Sequence, residues 1–314
     1  MLAGIIGKIG RTSALVILAV MVALGVLLAV VEYTDAGVIS EVSSEQFTLS
    51  GYDLSQVPDS VRQDAQNLAG GMFSRHSEER GNFIQQLLVT YLEARDKDFI
   101  LFYNPGGWGY SLLKDSSGWQ SIVAGIEVKL NSQGYELLPL SYRRTQDSWL
   151  GSLDEISEMA VQYNQKARTL AVRLDFLTSH NPGVRVILAS ESNGIIISDR
   201  VMALLKDNDR VYGIQTGSPF WYHTENRERT LIMNDNGEIP DSFSQGDFLT
   251  MMTANFKTWF GFSRPEEGRG TILKVFRAPG HYYSWQQAKV SREVSSFLDQ
   301  ILAGSDEPAG VRPG

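Results

Sequence analysis

A chain of 314 residues with 43% hydrophobic and 10% aromatic side chains can bury a sizeable core, which excludes disorder throughout. It has no cysteine, so disulfides, thiolate zinc sites, iron–sulfur clusters and a cysteine nucleophile are excluded. Four histidines (His76, His180, His223 and His281) stand too far apart to suggest a histidine-rich metal site, and a net charge of −8 argues against a nucleic-acid partner.

Ala14–Val31 contains no charged residue. As a helix it would run roughly 27 Å, close to the hydrocarbon thickness of a bilayer. Lys8 and Arg11 precede it, and Glu32, Asp35 and Glu41 follow. The positive-inside rule therefore predicts a cytoplasmic N-terminus (1–13), a single transmembrane anchor (14–31) and a domain on the far side of the membrane. The alternatives are a cleaved signal peptide, for which VVEYTDAGV offers a weak site, and a buried core helix. Residues 32–57 read as a stalk with one possible strand, Gln46–Leu49.

From residue 58 to 302 the chain alternates. Apolar runs at Phe99–Tyr103, Leu137–Tyr142, Val184–Ala189, Val211–Gln215, Thr230–Met233 and Thr271–Phe276 suit strands covered on both faces. Helical patterns occur at Glu78–Arg95, Trp119–Asn131, Ser152–Leu177, Asn193–Lys206, Phe243–Trp259 and Trp285–Leu302, and Ser152–Glu155 has the form of a capping box. This order predicts one α/β domain with a mostly parallel central sheet and helices on both faces. Residues 303–314 are Gly/Pro-rich and read as a disordered tail.

Open parallel sheets bind ligands beyond the carboxyl ends of their strands. Ser190-Glu-Ser192-Asn-Gly194 follows one apolar run and leads into a helical pattern, the context of a nucleophile elbow, with Ser190 where that pattern has its first glycine. A helix N-cap is the competing role for Ser192. Asn104-Pro-Gly106-Gly107-Trp108 follows an earlier run, and its glycines would let backbone N–H groups approach an oxyanion. It lacks the G-K-[ST] of a phosphate loop and the third glycine of a dinucleotide fingerprint, so no cofactor is expected. His281 follows the last run and precedes the C-terminal helical pattern.

In this order the three segments resemble the α/β-hydrolase superfamily over roughly Asp96–Leu302. Asn104–Trp108 is similar to its HGGGW segment, and Gly280-His281 to its histidine loop. The resemblance implies a serine esterase or lipase-like enzyme, with acyl transfer to Ser192 and His281 as general base. It further implies an oxyanion site from Asn193 with Gly106 or Gly107, and no metal or cofactor. The acid would lie between Ser192 and His281. Asp241 best fits the family pattern, Asp235 lies nearer the strand end, and Glu238 matches an ungapped count. Asn236-Gly237 could instead turn a hairpin, which would displace Leu231–Met233 from the central sheet.

Trp108, Trp221 and Tyr282, with Phe220, Tyr222, His223, Tyr110 and Tyr283, fall just beyond strand ends and could wall a cleft for an apolar acyl or aryl group. The expected function is a membrane-tethered serine hydrolase acting on a small-molecule or lipid ester or a thioester. The alternatives are a serine peptidase of the same fold and a non-catalytic binding or scaffold domain.

Overall fold

The computed structural model describes residues 52–74, 77–144, 155, 158, 163–225, 229–259 and 277–303. The predicted anchor, the possible strand Gln46–Leu49, the run Thr271–Phe276, His76 and the tail from residue 304 lie outside these. Among the described residues no helix is long and apolar enough to cross a membrane.

Among the described residues, five parallel strands form the sheet: β1 (Phe99–Asn104), β2 (Leu137–Ser141), β3 (Arg185–Glu191), β4 (Val211–Thr216) and β5 (Thr230–Met233), in the order β2-β1-β3-β4-β5. The helices are α1 (Asp59–Met72), α2 (Glu78–Ala94), α3 (Ser117–Asn131), α4 (Asn164–His180), α5 (Gly194–Leu204), α6 (Ser242–Gln245), α7 (Phe248–Trp259) and α8 (Ala288–Ala303). The chain is α/β with helices on both faces of the sheet.

Strand alternation sorts the apolar side chains into two cores. Phe99, Leu101, Tyr103, Ile187 and Ala189 face α3 and α8, where Trp119, Ile126, Val290, Val294 and Leu298 are buried. Ile100, Phe102, Val186 and Leu188 face α4 and α5, meeting Leu170, Leu174, Ile197 and Val201. Both strand faces are thus covered, which explains why the strands read as near-continuous apolar runs.

Three elements differ from the sequence reading. Helix α1 was not foreseen because its buried residues are Val61, Ala65 and Ala69, spaced like a helix face but too small to give a strong apolar signal. With α2, held at its start by Ser77 Oγ accepting from Arg80 N at 3.2 Å, it forms a third cluster that also takes in Val57. The packed structure therefore begins inside the segment read as a stalk. The single pattern Phe243–Trp259 is two helices: Gly246 ends α6 in the left-handed region at φ 68°, and Asp247 Oδ1 caps α7 by accepting from Thr250 N at 3.1 Å. Within the pattern Ser152–Leu177, Glu155 and Glu158 are helical, the left-handed Tyr163 precedes α4, and α4 runs from Asn164 past the predicted end to His180.

Both β1 and β3 border the point where strand order reverses, since the chain leaves β1 for β2 and then returns past β1 to lay β3 on its other side. In open parallel sheets ligands bind at such a reversal, beyond the carboxyl ends of the strands. Asn104 is paired in register with Ser190, and Glu191 with Thr216, so the loops after β1, β3 and β4 emerge side by side.

Glycine positions test the packing. A Cβ on Gly125 in α3 would lie 2.1 Å from Trp285 Cδ2, whereas one on Gly81 in α2 meets nothing within 4 Å. Gly125→Ala should therefore destabilise the fold by about 1–3 kcal/mol through overpacking. Gly81→Ala should stabilise it by about 0.4–1 kcal/mol through lost unfolded-state entropy. Urea denaturation followed by tryptophan fluorescence measures both, and equal effects would contradict this packing.

Candidate active site

Ser192 lies between β3 and α5 with a backbone φ of 52°, one of few non-glycine residues in the left-handed region. Such a conformation costs on the order of 1–3 kcal/mol and persists only where the surroundings enforce it. Here the Ser192 N–H donates to Thr216 O at 3.0 Å, and Ser192 O accepts from Ile195 N at 3.0 Å as the chain enters α5. Close contacts complete the turn. A Cβ on Gly194 would lie 2.8 Å from both Asn104 O and Pro105 O, and one on Gly106 would lie 2.7 Å from Ser192 Cβ. The loop after β1 is therefore pressed directly onto the serine. Ser190, in place of the first pattern glycine, is fully buried on β3, where its Oγ accepts from Asn104 Nδ2 at 3.4 Å.

Two asparagines tie these loops together: Asn104 Nδ2 donates to Gly194 O at 2.7 Å, and Asn193 Nδ2 to Gly107 O at 2.8 Å. Beneath them lies Arg144, wholly buried. Its guanidinium donates to Asn104 Oδ1 at 2.7 Å, to Pro105 O, and to Glu155 Oε1 at 2.7 Å. Tyr163 Oη donates to the same Glu155 oxygen at 2.7 Å and accepts from Asn193 Nδ2 at 3.3 Å. Burial alone would lower the Arg144 pKa, but the Glu155 carboxylate outweighs it and holds the group charged. Glu155 is thus the counter-ion of the buried Arg144 and also faces the buried Lys166, whose Nζ lies 3.5 Å from its Oε2; Ser152, the other half of the capping pattern, lies outside the described residues. Neither Arg144 nor Tyr163 was singled out in the sequence.

Of the backbone donors expected at an oxyanion site, Gly106 N–H points to Glu191 Oε1 at 3.4 Å. Glu191 also accepts from Tyr103 Oη at 2.6 Å. Gly106 thus supplies close approach to Ser192 rather than a free donor. Among the described residues, the N–H groups of Gly107 and Asn193 donate to no other protein group.

Of the three candidate carboxylates, the one beside His281 is Asp241, whose Oδ2 lies 2.9 Å from His281 Nδ1. Asp241 is fully buried and caps α6, its Oδ1 accepting from Phe243 N at 2.9 Å and Ser244 N at 3.1 Å. Its Oδ2 also accepts from Tyr283 Oη at 2.8 Å and Ser244 Oγ at 3.0 Å. Burial would raise the Asp241 pKa, yet the hydrogen bonds from His281, Tyr283 and Ser244 hold it below the ordinary carboxylate value. Burial, with the adjacent Asp241 charge, pushes the Tyr283 hydroxyl up, so it stays a donor. An ionised carboxylate only accepts, so Nδ1 of a neutral His281 must carry the proton and Nε2 keeps a bare lone pair.

Asp235 is elsewhere: it pairs with Lys289 Nζ at 3.1 Å and accepts from Gly237 N at 2.6 Å. Glu238 meets Gln287 Nε2 at 3.4 Å. Asn236-Gly237 does turn the chain, with a bridge between Asp235 and Pro240, but the turn follows β5 and leaves that strand paired with β4. Asn236 Nδ2 donates to Gly280 O at 3.1 Å and Tyr282 O at 3.0 Å, so the turn carries the histidine loop.

His281 and Ser192 flank the same piece of backbone. The Ser192 N–H is bonded to Thr216, and a Cβ on the next residue, Gly217, would lie 2.3 Å from His281 Cε1. At φ 71°, Gly217 combines that close approach with a left-handed backbone.

Of the aromatic residues proposed for a cleft, Trp221 lines a cavity of about 690 Å³ with Phe220 and Phe243. Trp108 and Tyr282 lie outside it; Tyr282 sits by α3, its Oη 3.4 Å from Ser117 Oγ. Tyr222 Oη bonds Asp199 Oδ2 at 2.8 Å, and His223 is exposed. Among the described residues no cluster of His, Asp or Glu could hold a metal ion.

No known protein family's sequence profile matches the chain. Two curated proteins are similar to it, both described as ATP-dependent Clp protease proteolytic subunit. The one from Glycine max is 22% identical over 159 residues, 50% of this chain and 71% of the relative. The one from Lotus japonicus is 24% identical over 150 residues, 47% and 67% respectively. Among solved structures, Trichoderma reesei cutinase in complex with a phosphonate inhibitor aligns with 79% of this chain and 94% of its own, at 11% identity and a TM-score of 0.40.

The depressed Asp241 pKa makes an acid-side prediction. Its stabilisation is fully present above the unfolded carboxyl value of about 3.9 and is lost as pH falls through the lower native value. Asp241→Asn keeps a helix cap but loses the charge. It should be less stable than wild type by about 1.5–3 kcal/mol at neutral pH. That gap should close as the pH drops below about 4, measured by urea denaturation across pH. A gap that stays constant to the lowest pH would contradict the ionised, hydrogen-bonded carboxylate.

Proposed function

We propose that this chain is a serine hydrolase of esters, in which Ser192 is the nucleophile, His281 the general base and Asp241 the orienting acid. The observation that carries this reading is the Asp241–His281 hydrogen bond of 2.9 Å, on a loop packed against the same backbone that fixes the strained Ser192. In the reaction Ser192 Oγ adds to the ester carbonyl carbon while His281 Nε2 takes its proton. The oxyanion is met by the N–H groups of Asn193 and Gly107. Collapse expels the alcohol, which leaves with the proton from His281. Water then attacks the acyl-enzyme by the same route, releasing the acid and restoring Ser192. Asp241 stays ionised throughout and stabilises the imidazolium. We further propose that residues 14–31 tether the domain to a membrane, with the N-terminus cytoplasmic and the catalytic domain outside.

Cleavage of a peptide bond is the second reading, favoured by the two curated relatives, each described as a protease subunit. The same three residues would serve it.

A fluorophosphonate probe should label the wild type on Ser192 and leave Ser192→Ala unlabelled. His281→Ala should lower p-nitrophenyl ester hydrolysis by several orders of magnitude with little change in melting temperature. Unlabelled wild type, or His281→Ala activity within about threefold of wild type, would overturn the mechanism. Hydrolysis of a peptide amide with no ester turnover would select the peptidase reading.

A further inference from the structure

The cavity of about 690 Å³ is lined, among the described residues, almost wholly by apolar side chains, Phe220, Trp221, Phe243, Phe248, Met252 and Phe256 among them. Its rings form a chain of edge contacts: Phe248 to Phe220 at 4.9 Å, Phe220 to Trp221 at 4.8 Å and Trp221 to Phe243 at 5.3 Å. The last link reaches the site, for the Phe243 ring lies 4.8 Å from the His281 imidazole. The outer wall is α7, where Phe248, Leu249, Met252 and Phe256 are each more than half exposed. An apolar surface of that kind on a folded domain marks a binding site. This wall is also fixed to the histidine loop: Asn255 Nδ2 donates to Arg277 O and Asn255 Oδ1 accepts from Arg277 N, both at 2.8 Å.

From this geometry we propose that the groove holds the long unbranched hydrocarbon chain of the ester substrate, with the scissile carbonyl at the His281 end. The proposal deepens the esterase reading and rests on it. The volume falls within the range of small-molecule pockets, roughly 300–1,000 Å³. Flexible methionine and edge-on aromatic surfaces suit a hydrocarbon chain rather than a rigid polar ligand.

The test has two arms, both on the full chain in lipid nanodiscs. In the first, Ser192→Ala, which leaves the groove intact, is irradiated with a methyl palmitate analogue carrying a terminal diazirine. Mass spectrometry should find adducts on the groove residues Trp221, Met252 or Phe256, suppressed by excess methyl palmitate. Absence of competable adducts there, or adducts confined to Ala14–Val31, would overturn the proposal. In the second arm, the wild-type kcat/KM for p-nitrophenyl octanoate should exceed that for the acetate by at least about tenfold. Met252→Asp and Phe256→Asp should bring that ratio toward one. An active enzyme indifferent to chain length would overturn the groove and leave the serine chemistry standing. Groove adducts in a chain that hydrolyses no ester would overturn the esterase reading and, with it, the assignment of the groove to an ester's hydrocarbon chain.

Discussion

The buried carboxylate of Asp241 is the point on which the site depends. A lone ionised carboxyl at that depth would be expelled or neutralised. Here five donors surround it: two backbone N–H groups at the start of α6, the Ser244 and Tyr283 hydroxyls, and His281 Nδ1. Each bond has a separate structural effect. The backbone bonds start the short helix that carries Phe243 toward the imidazole, while the Tyr283 bond anchors the chain just past the histidine. The His281 bond sets the ring's tautomer. Helix start, loop position and protonation state thus follow from the acceptor capacity of one side chain.

Strand order supplies the rest of the frame. Because the sheet reverses its winding between β1 and β3, two loops with no sequence proximity leave the sheet at one place. Contact between them is backbone against backbone, through Gly106 and Gly194, with two asparagine side chains as cross-links. A side chain at either glycine would separate the loops, and the left-handed backbone of Ser192 would lose its enforcement.

Much of the fold was legible because both sheet faces are covered, so each described strand stood out as an unbroken apolar run. The serine, glycine and histidine segments were legible through their place after those runs. What stayed hidden depends on contacts between distant residues or on weak signals. Asp241, Asp235 and Glu238 could not be ranked by spacing, since the choice turns on which one the chain folds back onto His281. The answer required the Asn236 side chain to hold the backbone at Gly280 and Tyr282. Helix α1 was missed because alanines line its buried face. Gly246 divided an apparently continuous helix because a left-handed residue ends a helix wherever an acceptable cap follows. The pairing of Glu155 with Arg144 and Lys166 was not legible because a capping pattern is local, whereas these contacts form only in the folded chain.

That Arg144–Glu155 pair joins segments on either side of residues 145–154 and lies under the loop that covers Ser192. Glu155 also faces the buried Lys166, whose Nζ lies 3.5 Å from its Oε2, so removing Glu155 would leave two cations in the interior without their counter-ion, a change that costs about 3–5 kcal/mol or more. The three positions are therefore coupled through one carboxylate, and a change at Glu155 is felt at both cations. Asn104 and Pro105, which accept from Nη1 of the same guanidinium, would need new partners if Arg144 were replaced. The inherited shape of the loop over the serine is thus maintained from a position with no access to solvent or substrate.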